Sequence, residues 1–161
     1  MHFTKKITLL VAVAATLATS AFAELARSDK HFLEQAAKGG MKEVDVSQQA
    51  LVHLTAPDVR NFAQQMLTAH TQVNAELQAL ATKKGVTLPA PDAKVSQKWA
   101  DNRKDVDDEY LAEMTNDHKE TIELFEKAAK SEDPDIAAFA LKTLPHLREH
   151  LETVKQLKKT N

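Results

Sequence analysis

The 161-residue sequence contains no cysteine. It therefore has no disulfide framework, no thiolate metal ligand and no cysteine nucleophile. Glycine occurs only three times, and the sequence shows no glycine-rich phosphate loop, no zinc-protease motif and no nucleophile with a companion base. These absences leave hydrolases and nucleotide-dependent enzymes with little support.

Neither sign of charge dominates the sequence. The 21 lysines and arginines stand against 23 aspartates and glutamates, which gives a formal net charge of −2, and no basic cluster interrupts the mixture. Proteins that bind nucleic acid need a basic surface to neutralise phosphates. We therefore expect no nucleic-acid partner.

A long apolar run occurs at the N-terminus. Two lysines precede an apolar stretch from Ile7 to about Leu17, and the triplet Ala21-Phe22-Ala23 supplies the small residues that a signal peptidase reads. This pattern predicts a cleavable signal peptide over residues 1–23. Because no stop-transfer pattern follows, we expect residues 24–161 to form one soluble domain without a transmembrane segment, in the periplasm or outside the cell.

The rest of the sequence shows four stretches of helical periodicity and almost none of the alternation that a strand needs, which predicts an all-α fold. Capping residues and chain breakers set the expected helix bounds. The predicted helices run from the N-cap Ser28 to about Leu54, from the capping sequence Thr55-Ala56-Pro57-Asp58 to Lys83-Lys84-Gly85, from about Arg103 to Lys130, and from Asp133-Pro134 to about Lys158.

The connections between these helices predict how they pack. Helices 1 and 2, and helices 3 and 4, have short connections and should form antiparallel hairpins, whereas residues 85–102 form a long connection with a short helical turn near Trp99. This arrangement is a ferritin-like four-helix bundle with a long crossover between helices 2 and 3. The Gly39-Gly40 pair should allow a close helix contact, and Pro145 should kink helix 4 near Leu141.

Each predicted helix carries one polar residue on its apolar stripe, close to the helix midpoint. These residues should converge in the middle of the bundle, because midpoints coincide whichever way each helix runs. One carboxylate and three imidazoles suit a single zinc, iron, manganese or copper ion, and the identity of the ion stays open. The predicted metal ligands are Glu43, His70, His118 and His150.

Four further residues lie near this predicted site. Met66 and Met114 each precede a site histidine by one turn, where a thioether could favour copper or simply fill the core. Tyr110 and His146 could hold the metal ligands in position or act as auxiliary ligands. For His146 a position on the surface is an equally good prediction. No Glu-x-x-His motif precedes the site histidines, so a two-iron oxidase is not expected.

A series of motifs then points to a family. They are Phe32-x-x-x-Ala36, Glu43-Val44, Phe62-Ala63-x-x-Met66-x-x-x-His70, Asp107-x-x-Tyr110 with His118, and Leu144-Pro145-x-Leu147-x-x-His150-Leu151. Their order resembles the exported bacterial family called domain of unknown function 4142. The resemblance implies a ferritin-like fold and a periplasmic or outer-membrane association, and it brings no established reaction. Ala69 and Val106 depart from the family pattern, which commonly has Asp and Phe there.

Three functions remain compatible with these residues. The first is a periplasmic metal-binding protein, in metal handling or a stress response. The second is a structural or protein-interaction bundle without a metal, in which Glu43 pairs with a protonated imidazole. The third is a metal-dependent redox enzyme. Protein partners, and whether the chain is an enzyme at all, stay open.

Overall fold

A computed structural model describes residues 25–91 and 105–160. This part of the chain forms four α-helices and no strand, which confirms the all-α prediction. The predicted signal peptide and the helical turn near Trp99 lie outside the described residues. None of the described helices is both long and apolar enough to cross a membrane. The helices are α1 (Arg27–Ala50), α2 (Pro57–Lys83), α3 (Val106–Ala128) and α4 (Pro134–Thr160).

Two apolar clusters show how the helices are oriented. The start of α1, the end of α2, the end of α3 and the start of α4 share one cluster, which includes Leu33, Leu77, Phe125 and Phe139. The opposite four ends share a second cluster, which includes Ala50, Phe62, Leu111 and Val154. The pairs α1/α2 and α3/α4 are therefore antiparallel hairpins, as predicted.

The same two clusters place α2 and α3 in parallel. Lys83 and Val106, which flank the connection between these helices, therefore lie at opposite ends of the bundle. Outside the hairpins, α1 packs against α3 and α2 packs against α4. This is the helix order of a bundle with a long crossover between its second and third helices.

The predicted caps of α1 and α2 are wrong. α1 begins at Arg27, one residue before Ser28, and neither α1 nor α2 has a side-chain cap. The Thr55 side chain instead contacts the carboxylate of Asp107 at the start of α3. That carboxylate also accepts hydrogen bonds from the backbone N–H groups of Thr55, at 3.1 Å, and Ala56, at 3.3 Å. A contact from another helix thus replaces the local cap and ties the α1–α2 connection to α3.

The C-terminal end of α2 and the N-terminal end of α4, which lie at the same end of the bundle, agree with the sequence prediction. Gly85 has a φ of 68°, the left-handed conformation that favours glycine after a helix. The carboxylate of Asp133 caps α4 by accepting hydrogen bonds from the backbone N–H groups of Asp135 and Ile136. The Lys84 ammonium lies 2.6 Å from Asp133, so the two hairpins are also linked at this end. α4 continues through Pro145, and the kink near Leu141 stays a prediction.

The predicted close helix contact occurs at Gly40. A Cβ atom on Gly40 would lie 2.0 Å from Oδ1 of Asn74 in α2, so no side chain fits there while Asn74 keeps its position. A Cβ atom on Gly39 would meet only Oγ1 of Thr121 in α3, at 4.0 Å, an ordinary van der Waals distance. The two neighbouring glycines therefore have different roles.

This difference predicts different effects of alanine on stability. Gly39→Ala should raise the free energy of unfolding by about 0.5–1 kcal/mol, the usual gain from replacing glycine inside a helix. Gly40→Ala should gain less or lose stability, because the Asn74 side chain must move. In an Asn74→Ala background Gly40→Ala should recover the gain. Urea unfolding of the variants measures these differences. Equal increases in the free energy of unfolding for Gly39→Ala and Gly40→Ala in the wild-type background would contradict the different roles of the two glycines.

Candidate metal centre

A layer of polar side chains crosses the bundle between the two apolar clusters. Each helix contributes one member: Glu43 from α1, His70 from α2, His118 from α3 and His150 from α4. The first three are buried and His150 is half-buried. The structure therefore brings together the four residues that the stripe positions and the helix midpoints singled out, while their role as ligands stays a prediction.

The three imidazoles face one another. Their ring centroids are 5.4–5.6 Å apart, and each ring offers a nitrogen that lies within 4.8 Å of those offered by the other two. Within the part of the chain that the structure describes, these histidines form the only such group of three or more candidate ligands. Glu43 contacts the group without belonging to it.

The Glu43 carboxylate sits on the Nδ1 side of two rings. Its Oε2 atom is 2.8 Å from Nδ1 of His70, and its Oε1 atom is 3.4 Å from Nδ1 of His118. The backbone carbonyl of Met114 lies 2.9 Å from the same His118 Nδ1. Because both Nδ1 atoms face oxygen acceptors, they carry the N–H, and in the neutral form of each ring the Nε2 atom presents a lone pair.

The Nε2 atoms of His118 and His70 have different surroundings. Nε2 of His118 is 3.4 Å from Nδ1 of His150. Nε2 of His70 is buried and has no hydrogen-bond partner among the described residues. Buried polar atoms in folded proteins nearly always have a partner, so a buried, unpaired imidazole nitrogen calls for one. A metal ion is a partner that such a nitrogen accepts.

The electrostatics of the layer favour the neutral forms of His118 and His150 beside an anionic carboxylate. Burial lowers the pKa of His118 although the charge of Glu43 opposes the shift. Burial, followed by the neighbouring imidazoles, lowers the pKa of His150 to about 4. Burial alone would raise the pKa of Glu43, but the three histidines outweigh it and the pKa lies below its ordinary value. Metals bind neutral imidazoles, so the layer is suited to a metal ion at neutral pH.

These pKa shifts predict how the metal-free protein responds to acid. Below pH 6.5 unfolded histidines bind protons that folded His118 and His150 resist, so the free energy of unfolding should fall as the pH drops from about 6.5 to about 4. His150→Gln should make this decline shallower, because it removes one of the two histidines whose pKa is lowered by burial. Urea unfolding in the presence of a chelator measures the decline. Identical pH profiles for wild type and His150→Gln would contradict the assignment.

The auxiliary candidates have mostly structural surroundings. Met66 and Met114 are fully buried in the apolar cluster beside the layer, and Met114 contacts His118 through its backbone carbonyl. The Tyr110 hydroxyl pairs with Oγ of Ser47 at 2.8 Å, and burial raises its pKa. The His146 side chain is exposed.

An ion-pair cluster that lies beside the layer was not predicted from the sequence. The Lys42 ammonium lies 2.8 and 2.7 Å from the two carboxylate oxygens of Asp117 and 3.1 Å from Glu113. Burial raises the pKa of Asp117 against the opposing effect of Lys42. The four-residue spacing of Glu113 and Asp117 could have indicated this cluster, because it puts two acids on one face of α3.

The fold and the polar layer define a four-helix-bundle protein with a buried carboxylate and imidazole centre. The chain belongs to the DUF4142 family, a domain of unknown function, whose family model matches residues 14–157. The resemblance in the sequence motifs is thereby confirmed. No curated protein matches the chain.

Two solved structures are similar in fold. A crystal structure of a DUF305 fragment from Deinococcus radiodurans has a TM-score of 0.75 at 12% sequence identity, covering 86% of this chain and 100% of the fragment. A conserved hypothetical protein from Mycobacterium tuberculosis has a TM-score of 0.69 at 14% identity, covering 82% of this chain and 91% of that one. At these identities the similarity concerns the fold alone.

Proposed function

We propose that this protein binds a single transition-metal ion through His70, His118 and His150. The observation that carries the proposal is the meeting of three imidazoles from three helices, with candidate ligand nitrogens within 4.8 Å of one another. The buried, unpaired Nε2 atom of His70 supports it further. An ion at the centre of the group would give this nitrogen its missing partner.

The spacing of one pair of nitrogens suits a small, tetrahedral site. Bond lengths of about 2.0–2.1 Å put two nitrogen ligands of a tetrahedral ion about 3.3 Å apart. Nε2 of His118 and Nδ1 of His150 are 3.4 Å apart. Three imidazoles would leave the fourth position for water or a substrate. Zinc, iron, manganese and copper all accept imidazole, so the ion remains unspecified.

Glu43 has an orienting role in this proposal. Metal-binding histidines usually donate their second ring N–H to a carboxylate or a carbonyl, which fixes the ring and strengthens the ligand. Glu43 accepts from Nδ1 of His70 at 2.8 Å, and the Met114 carbonyl accepts from Nδ1 of His118 at 2.9 Å. This geometry favours Glu43 as the residue that holds His70 over Glu43 as a fourth ligand.

We propose that the protein handles a metal ion outside the cytoplasm. The proposal of export rests on the two lysines, the apolar run and the small residues before Glu24. A bound ion would supply Lewis-acid chemistry or, for iron and copper, redox chemistry. No feature of the described residues assigns a reaction, so metal binding is the function that we put forward.

A metal-free bundle is the competing function. The contact of Glu43 with His70, at 2.8 Å, and that of His118 with His150, at 3.4 Å, could stabilise the layer as a hydrogen-bonded network. That network leaves Nε2 of His70 without a partner. The unpaired nitrogen therefore weighs in favour of the metal.

Titration with Co²⁺, a spectroscopic substitute for other divalent ions, tests the proposal. The wild-type protein should bind one ion per chain with visible absorption typical of a low-coordinate site. His150→Ala should lose most of this binding, because one ligand is removed. His146→Ala, one helical turn away and exposed, is the matched control and should bind like wild type. Failure of the wild type to bind Co²⁺, Zn²⁺ or Cu²⁺ would overturn the proposal.

A further inference from the structure

A cleft of about 990 Å³ opens between α1 and α3, and its described lining includes one residue of the polar layer. Lys38 and Glu120, which are exposed, line its outer part. Glu43, of which only 1% is exposed, also lines it. Glu43 therefore borders the cleft, and its carboxylate contacts His70 and His118.

Glu43 joins the cleft to the imidazoles. Its Oε2 atom contacts Nδ1 of His70, whereas its Oε1 atom is buried and lies 3.4 Å from Nδ1 of His118 without a hydrogen bond to any described residue. An unpaired, buried carboxylate oxygen attracts a cation strongly, because little water is present to screen it. One side chain thus offers an oxygen without a hydrogen bond and touches the proposed metal ligands.

The charges along the cleft favour cations. Among the residues that the structure describes, four acidic residues line the cleft against two basic ones, and the Lys42 ammonium is held by Asp117 and Glu113. A cleft lined by an excess of one charge raises the local concentration of ions of the opposite sign and speeds their association. The charged lining residues are Lys38, Lys42, Glu43, Asp45, Asp117 and Glu120.

We propose that this cleft is the path by which a divalent metal cation enters and leaves the three-imidazole site, with the Glu43 carboxylate between the cleft and the imidazoles. The proposal rests on the metal-binding function proposed above. The proposal also assigns an effect to Lys42. This lysine lines the cleft, and its ammonium lowers the negative charge of the path.

Filling the cleft tests the proposal. Gly39 lines the cleft, and among the described residues a Cβ atom there would meet only Oγ1 of Thr121, at 4.0 Å, so a larger side chain can extend toward the cleft. Gly39→Leu should slow both association and dissociation of Zn²⁺ at least fivefold and leave Kd within twofold. An obstacle on the path raises the free-energy barrier to both entry and release of the ion. It changes neither the free nor the metal-bound protein.

Matched variants control for the added side chain. Gly39→Ala adds only a Cβ atom and should keep rates near those of wild type, and Ala138→Leu adds the same bulk at an exposed position of α4 outside the cleft. Stopped-flow mixing with a chromophoric chelator measures both rates, and circular dichroism checks the fold. Unchanged rates in folded Gly39→Leu, or equal slowing in Ala138→Leu, would overturn the path.

A charge variant gives a second, independent measurement. Lys42→Gln should raise the association rate of Zn²⁺ about threefold at low ionic strength, and the gain should shrink in high salt. Lys142→Gln, which removes an exposed lysine paired with Glu76 outside the cleft, should change the rate little. An unchanged rate in Lys42→Gln would contradict the path. Absence of Zn²⁺ binding by the wild type would instead overturn the metal site itself, and the path with it.

Discussion

Zn²⁺ at one hundred times its Kd is expected to raise the free energy of unfolding of the wild-type protein by about 2.7 kcal/mol, because the ion binds the folded chain and not the unfolded one. His118→Ala should abolish this increase. His118 is fully buried, and its Nε2 atom lies 3.4 Å from Nδ1 of His150, so its loss removes a central ligand. Thermal unfolding with and without Zn²⁺ measures the difference.

The metal-free network predicts another pattern for the same variant. Without any ion, His118→Ala should lower the free energy of unfolding by about 1–3 kcal/mol, because Glu43 and the Met114 carbonyl lose a buried partner. If the network alone were present, wild type and variant would be equally insensitive to Zn²⁺. His146→Ala controls for adventitious binding to an exposed histidine. Equal stabilisation of wild type and His118→Ala by Zn²⁺ would also contradict the proposed site.

Glu43→Gln is expected to weaken metal affinity about 10–100-fold, the usual effect of changing a partner that orients a ligand. The amide oxygen can still accept the hydrogen bond from His70, but the negative charge that strengthens this imidazole as a ligand is gone. The three nitrogen ligands should remain. Competition with a chelator of known affinity measures the loss.

The coordination of the variant separates orientation from ligation. If Glu43 orients His70, X-ray absorption spectra of Zn²⁺-loaded wild type and Glu43→Gln should show the same nitrogen shell. A direct ligand would instead leave the shell with one oxygen fewer. Glu126→Gln, an exposed glutamate paired with Arg148, is the matched control. Unchanged affinity in Glu43→Gln would contradict either role.

Periodicity and spacing predicted the parts of this protein that depend on local order. Glu43, His70, His118 and His150 interrupt apolar stripes near the helix midpoints, and residues placed in this way meet when helices of similar length pack side by side. The short connections likewise predicted both hairpins. Because the helices are long, errors of a few residues in the predicted helix ends did not change which residues were expected near the helix midpoints.

Long-range contacts explain what the sequence did not predict. The Asp107 carboxylate, 51 residues from Ala56, takes the place of the local cap expected from Thr55. Helical periodicity also places an imidazole on a face without saying which ring nitrogen meets a neighbour. The contact of Glu43 with Nδ1 of His70, which favours an orienting role, therefore needed the structure.

The most direct test of the metal site is elemental analysis, with X-ray absorption, of the natively purified protein after growth with adequate metals. We predict about one transition-metal ion per chain, held by three imidazole nitrogens at about 2.0–2.1 Å if the ion is zinc. Protein that carries no stoichiometric metal, and takes up none when Zn²⁺, Fe²⁺, Mn²⁺ or Cu²⁺ is added, would contradict the account.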